Sequence, residues 1–113
     1  MESILTSIKK LLGIEENCEH FDTDIIIHIN SVFINLTQIG VGPPDGFRIT
    51  DKTTTWDEFI KDGQNLDSIK TYVYLKVKLI FDPPMSSIVI ESINRLISEL
   101  EWRLNISVES DSI

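Results

Sequence analysis

Three side chains in this sequence have the chemistry to hold a transition metal: Cys18, His20 and His28. Three protein ligands plus a water make a catalytic zinc site, but this spacing belongs to no recognised metal motif. The plainer reading is a small thiol packed like a hydrophobe and two surface or interface imidazoles. Asp22 and Asp24 look like paired acids, yet no partner base is evident for acid–base work. Carboxylates in that position also satisfy the start of a helix. Gly40-Val41-Gly42-Pro43-Pro44-Asp45-Gly46 is glycine-rich. It lacks the Gly-Lys-Ser/Thr ending of a phosphate loop, and its prolines remove N–H donors. It reads as a helix stop followed by turns. No serine nucleophile elbow and no Cys/His pairing of a known type is present. The sequence therefore predicts no catalytic residue, no metal and no cofactor.

What remains are side chains suited to contact. Trp56 and Trp102 are candidate interface anchors, since aromatic residues dominate interface hot spots; core packing is the competing reading. Tyr72 and Tyr74 are two residues apart, so on a helix they diverge, one to pack and one to face a neighbour. Ile106 and Val108 would share one side of an extended strand, which suits addition to a partner's sheet edge or groove.

The elements that must position these residues are helical. Ile4, Leu5, Ile8, Leu11 and Leu12 recur at helical spacing before Gly13, predicting a helix over roughly 2–12. Ile25, Ile29, Val32, Phe33, Leu36 and Ile39 predict a second over 23–39, stopped by Gly40. In 40–65, Phe47 to Thr50 alternates like a strand, with Lys52 to Thr55 as a possible hairpin partner. Thr55-Trp56-Asp57-Glu58 fits a capping box, opening a helical turn or two that ends near Asp62-Gly63. Residues 66–81 fit both a helix and a strand; their length favours a helix, stopped by Asp82-Pro83-Pro84. Ser86 or Ser87 caps the last helix, which places Val89, Ile93, Ile97, Leu100 and Leu104 in the core. Asn105 is its expected stop. The expected fold is mainly α: a small four-helix bundle with a long loop, and a possible short β-hairpin, between helices two and three. Residues 1–105 form the domain and 106–113 a flexible tail.

With 113 residues, 42% of them hydrophobic and 25% charged, the chain has room for one globular domain. No apolar run approaches a membrane span. Lys9 and Lys10 follow the first apolar residues, the wrong order for a secretory signal. The single cysteine rules out an internal disulfide and suits a reducing compartment. The net charge of −8 is concentrated in residues 1–65, where eleven acids face five bases. Such a surface repels phosphate backbones and predicts weak DNA binding at physiological salt, with Arg48, Lys52 and Lys61 as one local basic spot.

Several strings occur together in a familiar order: Phe21-Asp22-x-Asp24-Ile25 to His28-Ile29-Asn30-Ser31, Gly40-Val41-Gly42-Pro43 with Gly46-Phe47, and Trp56 with Phe59. Lys70-x-Tyr72-Val73-Tyr74-Leu75-Lys76, Phe81-Asp82-Pro83-Pro84 and Glu99-Leu100-Glu101-Trp102-Arg103-Leu104-Asn105 complete the series. Over residues 1 to about 105 the series resembles the head–tail connector (adaptor) proteins of tailed phages and prophages, especially those of Gram-positive hosts. The resemblance implies a virion structural protein at the head–tail interface, made in the bacterial host cytoplasm. It implies a homo-oligomeric ring, typically twelvefold, that binds the portal above and the stopper (head-completion) protein below. DNA would pass through with transient, non-specific contact, and no membrane is involved. The alternative of another class is a small acidic cytoplasmic binding protein, a regulator or DNA mimic, that acts on a single partner without forming a ring.

Overall fold

The structure, a computed structural model, describes residues 2–60 and 65–111. Five helices follow one another: α1 (Ile4–Leu11), α2 (Asp22–Ile39), α3 (Trp56–Phe59), α4 (Leu66–Phe81) and α5 (Ser87–Asp111). The chain is mainly α, as its periodicity predicts, and the four long segments are those expected. The central element is α4, which packs on α2 and α5 and also touches α1. The molecule is 20 Å across in its thinnest direction, about two helix diameters. Each major helix therefore has one face on the core and one facing outward.

Local chemistry sets the boundaries. The Ser3 side chain accepts from the Thr6 N–H and caps α1. Gly13, at φ +82°, ends that helix with a paired closure: Gly13 N–H donates to the Lys10 carbonyl and Ile14 N–H to the Lys9 carbonyl. Gly40 repeats the device after α2, at φ +92°, with Val41 N–H donating to the Leu36 carbonyl. The Ser86 hydroxyl accepts from Val89 N–H at the start of α5.

Asp22 and Asp24 lie in the first turn of α2, where the helix dipole favours them as expected, but the expected capping is absent. Asp22 is instead ion-paired with Lys9 at 2.8 Å, and Lys9 is only 3% exposed. The Lys9 ammonium also donates to the carbonyls of Glu16 and Cys18, so all three of its protons have an acceptor in range. A charge buried this deeply is tolerated only when so partnered, and the cluster ties the 14–21 connection to α1.

The possible hairpin between helices two and three does not form. Among the described residues the only β pairing is a single antiparallel bridge, Ser3 to Thr55. The backbone of 47–50 finds a different partner. The Asn30 side-chain amide donates to the Ile49 carbonyl and its oxygen accepts the Ile49 N–H, at 2.9 and 2.8 Å. One side chain on α2 thus replaces a neighbouring strand. Apolar alternation in 47–50 is real, since Ile49 is buried and Phe47 packs on the core, but the surface it meets is a helix.

The capping box at Thr55 and Glu58 is present and opens α3. That helix is a single turn ending at Phe59; the expected end near Asp62-Gly63 lies outside the described residues. Asn105 does not stop the last helix, which runs on to Asp111. The physical reason is tertiary. Val108 packs against the core and meets Gly40, where an added Cβ would lie 2.9 Å from Val108 Cγ1. The Asn65 amide donates to the Ser107 hydroxyl. These contacts hold in helical form a segment whose polarity suggested a free tail.

Candidate interaction surfaces

The candidate anchors fall into two groups. Trp56 is 1% exposed, and its indole N–H donates to the Ser7 hydroxyl at 2.7 Å. It belongs to an aromatic cluster with Phe33, Phe47 and Phe59; the Phe33 and Phe59 ring centroids are 4.7 Å apart. Tyr72 is also fully buried, and its hydroxyl donates to the Glu101 carboxylate at 3.1 Å, joining α4 to α5. Burial, with the Glu101 charge beside it, pushes the Tyr72 phenol well above the ordinary tyrosine range. Both are core residues, because each has found inside the subunit the partner that its polar atom requires. Tyr74 is half-buried against the same core, and Val108 likewise.

Trp102 and Ile106 are outside. Trp102 is 65% exposed and Ile106 is exposed as well. Four residues apart, they occupy one strip of α5, on the side away from Ile97, Leu100 and Leu104. Charged residues flank them, with Glu99 and Arg103 in an ion pair. Val89, expected in the core, is exposed, as are Ile88 and Leu96. Ile93 is only partly covered.

Sequence reasoning missed a second outward face. On α2, Ile25, Ile29, Val32, Phe33 and Leu36 are buried, whereas Ile27 and Ile34 are 56% and 60% exposed. They are seven residues apart, two turns along one strip opposite the core. Between this strip and the 45–48 loop lies an open groove of ≈ 490 Å³, whose wall includes Phe47, Asp45 and Arg48. One signal was the Ile25-Ile26-Ile27 run, more apolar around the helix than a single buried face requires.

Cys18 is half-buried, and His20 lies edge-on to Phe21. Among the described residues, no group of three or more His, Cys, Asp or Glu side chains is positioned to hold a metal ion. Asp51 and Asp57 are held below the ordinary carboxylate range, Asp51 by hydrogen bonds from the Thr53 side chain and N–H, Asp57 chiefly by the Thr55 hydroxyl. Both accept local turn and cap hydrogen bonds, and neither forms an ion pair among the described residues. No helix among the described residues is long and apolar enough to cross a membrane.

What these residues offer is surface: two outward helix strips carrying large apolar side chains, on a body whose polar groups serve the fold. A family model described as phage connector protein matches residues 4–111, and the chain belongs to that family. The match runs through the end of α5 and so includes both strips. No curated protein and no solved structure matches the chain significantly.

Proposed function

We propose that this chain is a virion structural protein, the connector subunit that forms a ring between the portal and the stopper or tail and lets DNA pass. The observation that carries the reading is the connector-family match over residues 4–111. The large exposed apolar side chains grouped on the outer sides of α2 and α5 support it, because such groups outside a core mark sites covered by other proteins. In this reading the subunit works by contact and performs no reaction. Its partners are further copies of itself, the portal and the stopper, and Trp102 and Ile106 are interface residues.

The charge suits such a channel. A subunit of net −8 offers little phosphate neutralisation, so DNA moving past it is not retained. Gel-shift binding to duplex DNA at physiological salt is therefore expected to be weak, and sub-micromolar binding would contradict the reading. The direct test is electron microscopy of the chain mixed with its cognate portal. The expected result is a ring of connector density on the portal face that receives the tail. A soluble one-to-one complex with some other single partner, and no density on the portal, would replace this reading with that of a small binding protein.

A further inference from the structure

Trp102 is an exposed side chain on α5, and an open, largely apolar groove lies beside α2 on a different helix of the same chain. Trp102 projects from α5 with Ile106 one turn further along. The groove has apolar walls in Ile27, Ile34 and Phe47, and its volume of ≈ 490 Å³ has room for an indole and the side chain beside it. We infer that the groove receives Trp102 of a second copy of this chain, and that this is the head-to-tail contact by which the subunits assemble; the inference rests on the ring reading above.

Charge supports the same occupant. Asp45 and Arg48 line the groove, and neither forms an ion pair among the described residues. Beside Trp102 stand an exposed base, Arg103, and an exposed acid, Glu99, paired only with each other at the surface. Seating Trp102 carries one base and one acid, Arg103 and Glu99, to a groove whose own charges are one acid and one base, Asp45 and Arg48. An apolar centre with a polar rim is the usual anatomy of a specific contact, and tryptophan is among the residues enriched in hot spots. Because projection and groove are on different helices, each added copy leaves one of each free. That contact is heterologous, and repetition closes a ring when the rotation allows it.

The test uses Trp102→Ala and Ile34→Glu, two substitutions at exposed positions outside the core. Assembly is measured by sedimentation velocity on the full chain, alone and with the cognate portal. Wild type is expected to assemble beyond a dimer. Each variant is expected to keep the wild-type melting temperature and to lose roughly 30-fold or more in self-association. Mixed together, each variant retains the face that the other lacks, so a one-to-one heterodimer should form and grow no further. Assembly of either variant at wild-type strength would overturn this contact while leaving the ring reading intact. So would the absence of the heterodimer, or a wild type that stops at a two-fold dimer. A wild type that stays monomeric both alone and on the portal would instead overturn the ring reading itself.

Discussion

The segment 41–60 and the helix α5 distribute order and burial in opposite ways. The first has a single helical turn, yet it buries Val41, Ile49, Trp56 and Phe59. The second is the longest regular element, 25 residues, yet it leaves Ile88, Val89, Leu96, Trp102 and Ile106 exposed. Regular hydrogen bonding satisfies the α5 backbone without help, so its outer face is free for other uses. The irregular segment has no such internal ladder. Its backbone must be satisfied from outside, by Asn30 at Ile49 and by Glu2 and Ile4 at the 54–56 backbone. The irregular segment is thus held by the rest of the fold, and the regular one is partly independent of it.

This contrast breaks most visibly at Trp56. Trp56→Ala removes the edge-on partner of Phe33 from the aromatic cluster and the hydrogen bond to Ser7. A loss of about 3–5 kcal/mol is expected by chemical denaturation; a change below 1 would mean that the 41–60 segment is not part of the core. On α5 the two faces should separate. Leu100→Ala, in the core, should lose about 2–5 kcal/mol, while Val89→Ala, a few turns earlier, should stay within about 0.5 kcal/mol. Equal losses at both would show that the outer face of α5 is covered within the subunit.

Asn30→Ala tests how the irregular segment is held. It strands the N–H and C=O of buried Ile49, each worth about 1–3 kcal/mol when left unpaired. Hydrogen exchange at the Ile49 amide should accelerate well beyond that of the α4 amides; unchanged protection would refute the pairing. Truncation after Asn105 is milder. It removes the partly buried Val108 and the Asn65–Ser107 bond, so a loss of about 1 kcal/mol is expected. A chain that melted as before would show that 106–111 contribute nothing to the fold.

The smallest effect concerns pH. The Tyr72 phenol is raised above its ordinary value of 10.0, so the unfolded state releases this proton before the folded state does. The unfolded chain then binds fewer protons, and stability falls as pH climbs above about 10; below that range the contribution is fully present. Tyr72→Phe should flatten this alkaline decline in urea melts taken across the range. A decline that is just as steep in the variant would place its origin elsewhere.

Periodicity located α1, α2 and the body of α5, because a helix with one buried face writes that face into every third and fourth residue, whereas α4 needed the length of its apolar run to decide between helix and strand. The glycine stops at Gly13 and Gly40 and the capping box at Thr55 were equally legible, since each is a local bargain between neighbours in the chain. Family kinship was legible for the same reason, in the order of short strings. Long-range choices were not. Nothing near Asn30 announces that its amide will replace a β-strand for Ile49, nineteen residues away. Nothing near Lys9 announces that it will be buried against Asp22. Nothing near Val108 announces that it will meet Gly40, which has no side chain to stand in its way. Tertiary structure likewise sorted the aromatic residues, putting Trp56 and Tyr72 inside, where Ser7 and Glu101 satisfy their polar atoms, and leaving Trp102 outside. A residue's type states what it needs from its surroundings, and only the packed fold determines whether its own chain or another molecule supplies it.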